Sequence, residues 1–236
     1  MEIQDGFIVG IYNYCDRWCE TCAFTSRCRQ FADRLEFEAS RDPNLRPVAE
    51  APPLPHETPP PPPPWLQELL EDMNEASRQP VTKEELDDLM PKVLPEHLPI
   101  EARARRYGFR AHDWLETRGV DNSTDPSDPR TVIGWFAYYI SPKVYRALTG
   151  LSRGWPHLDA APDHDGSAKA ALVAIDRSHA AWLGLIERKL ATMAEVATFV
   201  EDLVWLGEAL ERVFPNARAF IRPGFDEPEE VSRLEL

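Results

Sequence analysis

Nine of the fourteen residues between positions 51 and 64 are proline, and the stretch ends in six in a row, Pro59 to Pro64. Proline has no backbone N–H and a locked φ, so neither a helix nor a sheet ladder can pass through such a run. What remains is a polyproline II path at about 3.1 Å per residue, roughly 19 Å over the six consecutive prolines. The run therefore divides the chain into a small unit at 1–40, a proline-rich linker at 41–64 and a larger domain at 65–221. The acidic, proline-punctuated residues 222–236 read as a loose tail.

After the linker the apolar pattern turns helical. Residues 65–76 and 82–90 are short acidic helical stretches, the second opened by Thr82 with Glu85 three positions on, a capping-box pattern. Ile100, Ala104, Tyr107, Ala111, Trp114 and Leu115 recur at three- and four-residue steps and predict one helix. A second covers 130–149, with Pro142 expected to kink or divide it. A third runs from about Ser167 to Ala191 on the stripe Leu172, Ile175, His179, Trp182, Leu183, Ile186 and Leu190. The fourth, about 194–213, carries Val196, Val200, Leu203, Leu206 and Leu210 and stops before Pro215. Four such helices with short connections predict a mainly α fold, an antiparallel bundle joined to a small N-terminal cysteine-rich unit. Forty residues with few large aliphatics need a metal, or docking onto the rest of the chain, to hold a fold.

All four cysteines lie within fourteen residues, as Cys15-x3-Cys19-x2-Cys22-x5-Cys28. Four thiolates that close in sequence can converge on tetrahedral zinc or on an iron–sulfur cluster. Tyr12, Tyr14, Trp18 and Phe24 stand where they can shield such a centre, and Arg17, Arg27 and Arg29 where they can offset its charge. A redox dithiol at Cys19-x2-Cys22 is the competing reading, but its usual βαβ setting is missing.

The stretch Cys19-Glu20-Thr21-Cys22-Ala23-Phe24-Thr25-Ser26-Arg27-Cys28 resembles the C-x2-C-x5-C half-motif of auxiliary [4Fe–4S] clusters, as in SPASM-type domains and the cluster-bearing RecB-family nucleases. The resemblance covers ten residues, implies a [4Fe–4S] cofactor in preference to Zn2+, and brings no reaction with it. Cys15-x3-Cys19-x2-Cys22 also has the spacing of the radical S-adenosylmethionine motif. Here, however, Thr21 stands where that family has an aromatic residue, and no alternation of strands and helices follows. The string Tyr12 to Cys19, together with Gly166-Ser167-Ala168-Lys169, is similar in layout to bacterial proteins that carry no assigned activity.

Further candidates lie in the helical part. Asp176 and His179, at i and i+3, have the spacing of a carboxylate–imidazole metal pair and form a second candidate site. A core-edge histidine bonded to its neighbour is the simpler account. Glu201, Asp202 and Glu208 fall mostly on the polar side of the next helix. Asp163 to Ser167 form a polar turn in which Asp165 or Ser167 serves as an N-cap. Arg103, Arg105, Arg106 and Arg110 make the one basic concentration, matched most simply by the acidic stretches 68–75 and 84–88. Trp135, Phe136, Tyr138 and Tyr139 beside Ser141-Pro142-Lys143 form an aromatic patch, which at helical spacing reads first as core, the alternative being a pocket at the kink with Lys143 or Arg146 at its mouth.

With 26 Lys+Arg against 40 Asp+Glu the net charge is −14, which argues against direct nucleic-acid binding. No apolar run reaches the roughly 20 residues of a membrane helix, and the N-terminus has acids where an export signal carries bases. The expectation is a cytoplasmic metal-binding protein, regulatory or structural, whose helical domain meets a protein partner. The alternative is a metalloenzyme or electron-transfer component acting on a small molecule. No residue is singled out as catalytic.

Overall fold

In a computed structural model, which describes residues 1–41, 92–118, 125–152 and 164–227, the chain is mainly α-helical. It opens with a hairpin of β1 (Ile3–Gln4) and β2 (Phe7–Ile8), antiparallel with Ile3 opposite Ile8. Its two-residue turn, Asp5-Gly6, has positive φ at both positions (52° and 82°), the backbone that an Asp-Gly pair favours. A single turn, α1 (Ile11–Tyr14), leads into the cysteine segment, where Cys19–Thr21 and Thr25–Arg27 form one turn of 3-10 helix each. α2 (Arg29–Arg41) follows. The four long helices are α3 (Leu98–Glu116), α4 (Pro129–Ser152), α5 (His164–Glu187) and α6 (Met193–Val213).

The long helices pack in a ring, each against the next and α6 back against α3. Pairs along each seam run in opposite directions. Gly150 meets His164 and Gly184 meets Pro129 between α4 and α5. Trp182 stacks on Phe199 while Gly207 lies beside Ile175 between α5 and α6. Arg103 covers Trp205 and Arg110 reaches Thr198 between α3 and α6. The bundle is thus antiparallel throughout.

The stripe on α3 buries as expected: Ile100, Ala104, Tyr107, Ala111 and Leu115 all enter the core. On α5 the buried face is wider and made of smaller residues. Ala168, Ala171, Ala174, Ser178, Ala181 and Leu185 join Leu172, Ile175 and Trp182, while Leu190 lies outside the helix and is exposed. Two neighbours press on α5, so small side chains are selected on both flanks of the stripe.

α4 runs through Pro142 without being divided. An internal proline costs a helix about 3 kcal/mol. Ile133, Phe136, Ile140, Val144 and Leu148, all at 0% exposure, lie on both sides of it. Burial of such side chains contributes about 1.5–3 kcal/mol each, which outweighs one lost bond. α5 starts at His164, so Asp165 and Ser167 are residues of its first turns and neither is its N-cap. The capping box among the described residues opens α6, where Thr192 and Glu195 satisfy each other's backbone N–H groups.

Residues 1–34 and 91–236 form one compact unit and residues 35–90 another. Of the second, the end of α2 is described, where Arg41 covers the Phe37 ring and the Ser40 hydroxyl donates to the Phe37 carbonyl. The proline linker, the stretches 65–76 and 82–90 with the Thr82 capping box, and residues 228–236 lie outside the described residues.

Within the first unit the cysteine segment is folded onto the bundle. Tyr14 packs against Phe220 and over Gly166 of α5, where a Cβ would come within 2.2 Å of the tyrosine ring. The described residues beyond 221 pack back as well. Gly224, at φ +79°, passes over Ile8 and Ile11, Arg222 holds Asp226 at 2.8 Å, and the Met1 ammonium meets Glu227 at 3.0 Å.

Candidate metal centre

The four cysteines sit where α1 ends and the two short 3-10 turns begin and end, on backbone that changes direction at each one. Cys15 terminates α1, Cys19 starts the first 3-10 turn, Cys22 follows it, and Cys28 follows the second. Reversal at Arg17, a non-glycine residue with φ 59°, is stabilised by Asp16, whose Oδ1 accepts the Trp18 N–H at 3.1 Å. The other oxygen of Asp16 accepts from Arg177 of α5 at 2.5 Å.

This folding brings all four thiols to one hollow with ≈ 310 Å³ of free space, including the part open to solvent. Its walls are mostly apolar, with Asp16, Arg17 and Thr25 among them: Tyr12, Trp18, Phe24 and Phe31 come from the segment and from α2, and Phe225 comes from the far end of the chain. Trp18 is 2% exposed and stacks on Trp135 of α4 at 5.1 Å. Phe24 meets Phe225 edge-on at 5.1 Å. Of the expected shields, Tyr14 points instead to Phe220. Of the expected bases, Arg17 lines the hollow, whereas Arg29 pairs with Asp33 and covers Phe7.

All four cysteines are half-buried and unpaired. Desolvation pushes the thiols of Cys15, Cys19 and Cys22 above their ordinary range. Lys143 and Arg17 act in the opposite direction on Cys15, as Arg34 does on Cys19. The Phe24 N–H donates to Cys22 Sγ at 3.4 Å, and Cys15 Sγ faces the Tyr12 carbonyl at 3.6 Å.

A single tetrahedral zinc with bonds of about 2.3 Å needs its sulfurs about 3.8 Å apart. Among the described residues, no group of three or more Cys, His, Asp or Glu side chains is drawn together to hold one ion. The donor set is nonetheless all thiol and shares one largely apolar chamber, with Arg17 and the Asp16 carboxylate on its wall and a backbone N–H directed at one sulfur. Zinc–thiolate and iron–sulfur centres both draw on such a donor set.

The segment is held from one side of α4. Trp135 Nε1 donates to the Asp16 carbonyl at 2.8 Å, the Tyr139 hydroxyl to the Cys15 carbonyl at 2.6 Å, and Lys143 Nζ to the Asn13 carbonyl at 2.6 Å. Trp135 and Tyr139 of the aromatic patch read from the sequence are therefore the seat of the cysteine segment, while Phe136 lies in the core and Tyr138 is exposed beside His112. Lys143, 8% exposed, is sealed beneath it.

The other candidates resolve differently. Asp176 is bound through both oxygens by Arg218, whose remaining Nε holds Glu211 at 2.8 Å. Asp176 and His179 line a groove with Val204, Glu208 and Arg218, in which the carboxylate already has its counter-charge. Asp202 lies on the inner side of α6, 6% exposed, and faces Arg103 at 3.4 Å, Arg110 at 3.3 Å and Arg106 at 3.8 Å. It partners most of the basic concentration on α3, and Arg105 pairs with Glu101 at 3.6 Å. Phe225, Arg177 and Asp202 had no local sequence signal: each acts on residues more than ninety positions away.

Among the described residues no helix is long and apolar enough to cross a membrane. The chain matches no family model, and no curated protein or solved structure is significantly similar to it.

Proposed function

We propose that the chain holds a [4Fe–4S] cluster on Cys15, Cys19, Cys22 and Cys28, and that it is a regulatory or structural metal protein of the cytoplasm whose helical bundle meets a protein partner. One observation carries the reading: four free thiols line a single hollow walled largely by aromatic side chains. A cluster there supplies one-electron redox chemistry, tuned by hydrogen bonds to its sulfurs and by its exposure. Phe24 N–H, Lys143, Arg17 and Arg34 are the residues of this chain placed to do that tuning. A Zn2+ ion on the same thiols is the other cofactor the donor set admits.

The metalloenzyme or electron-transfer alternative has one observation in its favour. Tyr12 lines both the cysteine hollow and a second groove formed by the β1–β2 hairpin with Arg29. A small molecule in that groove lies one side chain from the centre.

Reconstitution of the reduced chain with ferrous iron and sulfide under argon tests the first reading. Iron and sulfide retained after gel filtration, and lost in Cys22→Ser, are expected. Equal retention by wild type and variant refutes ligation by that cysteine.

A further inference from the structure

The donors at 135, 139 and 143 are spaced by four residues, one turn apart, so they stand in a row along one face of α4. Their acceptors run the other way along the chain, from Asp16 through Cys15 to Asn13. Those carbonyls belong to the end of α1 and the loop beyond it, where helical geometry leaves C=O groups without partners. Every rung thus supplies a bond that the segment cannot make for itself. Trp18 stacks back onto Trp135, and the Asp16 carboxylate spans from the Trp18 N–H to Arg177, so both edges of the loop are tied down.

We propose that Trp135, Tyr139 and Lys143 are positioning residues of the cysteine centre, which set the backbone of Cys15 in its ligating direction before any metal arrives. The inference rests on the metal-centre reading above for its purpose, while the rungs themselves are geometry on α4. Cys15 is the thiol outside the compact Cys19-x2-Cys22-x5-Cys28 run, and the residues joining it to Cys19 include the left-handed Arg17. Such backbone strain persists only where the surroundings over-determine it. The Tyr139 hydroxyl on the Cys15 carbonyl is the central rung. By linkage, anything that binds the cysteines in this pose also stabilises the seat on α4.

The test uses the full chain, reduced and free of metal, with iodoacetamide as the probe and peptide mass spectrometry to follow each cysteine separately. Tyr139→Phe removes one hydroxyl and leaves the ring. Loss of a bond of ordinary strength is expected to raise the alkylation rate of Cys15 about five-fold. Cys28, which no rung touches, is expected to keep its rate and serves as the internal standard. A general loosening of the fold raises both rates together and overturns the proposal, as does an unchanged Cys15 rate. Should Tyr139→Phe not fold, Lys143→Met removes an outer rung and is read the same way. Iron retention after reconstitution is the second readout, expected to fall in Tyr139→Phe. If the wild-type chain takes up no metal, the metal-centre reading fails by itself, while the alkylation ratio still decides whether the rungs position Cys15.

Discussion

Tyr107 is fully buried on α3 and its hydroxyl is the hub of a three-residue network in the bundle core. It lies 2.5 Å from Ser178 Oγ on α5 and accepts from Trp182 Nε1 at 3.0 Å. Replacing it by phenylalanine keeps the ring packing and removes both bonds. The two partners suffer unequally. Ser178 can turn its hydroxyl to a carbonyl of its own helix, as mid-helix serines do. The single indole donor of Trp182, at 0% exposure, has no such recourse. Two bonds of about 1 kcal/mol each, plus a stranded buried donor at about 1–3 kcal/mol less what Ser178 recovers, give about 2–4 kcal/mol of lost stability. Urea denaturation followed by far-UV circular dichroism measures it, with an unchanged slope expected because the burial is unchanged. Ser178→Ala, which leaves the indole bond in place, is expected to cost less. The same network has a pH signature. Burial pushes the Tyr107 hydroxyl up to about 12, so the folded state holds its proton more tightly than the unfolded state. That stability is complete below the unfolded value of about 10 and is lost as pH rises toward 12, on the order of 3 kcal/mol for a two-unit shift. Tyr107→Phe is expected to lack this alkaline loss. A variant within about 0.5 kcal/mol of wild type at neutral pH, or with the same alkaline decline, refutes the network as a core determinant.

Asp202→Asn leaves Arg103, Arg106 and Arg110 without their shared counter-charge. Because the arginines are partly exposed, the expected loss is modest, about 1–2 kcal/mol, and it shrinks in high salt; a salt-independent loss contradicts the ion-pair account. Glu195 caps α6, and the N–H of Thr192 with the Arg118 guanidinium holds its carboxyl down to about 2. A depressed folded value means stability that is present above the unfolded value near 4.5 and is lost as pH falls toward 2. Glu195→Gln should therefore flatten that acid limb in thermal melts recorded between those pH values, and an unaltered limb removes Glu195 as its source.

Helix positions were legible because burial on α3 and α6 follows the large apolar residues, and Tyr107, Leu203, Leu206 and Leu210 fall where periodicity puts them. On α5 the same rule overrated Leu190 and missed Ala168, Ala171 and Ser178, since a helix packed on two sides selects for small residues that hydropathy ranks low. Pro142 illustrates a local preference overridden by tertiary packing: its cost is set against a buried face that extends both ways along α4. At the candidate centre, cysteine spacing pointed to a shared hollow, whereas the aromatic patch at 135–139 read first as core, which Phe136 is. That the patch seats the cysteine loop, and that Phe225 closes the hollow, depends on contacts between residues 119 to about 200 positions apart. No periodicity or motif encodes such pairings. Asp202 looked solvent-facing for the same reason, its three partners lying on another helix.

The claim that the cysteines hold a metal centre is tested most directly by purifying the full chain without oxygen, recording its visible spectrum, and assaying iron, sulfide and zinc per chain. The account predicts a brown protein with about four irons and four sulfides, its colour absent from Cys22→Ser. One zinc per colourless chain contradicts the cluster and keeps a thiolate centre. A colourless chain with neither metal contradicts the central claim.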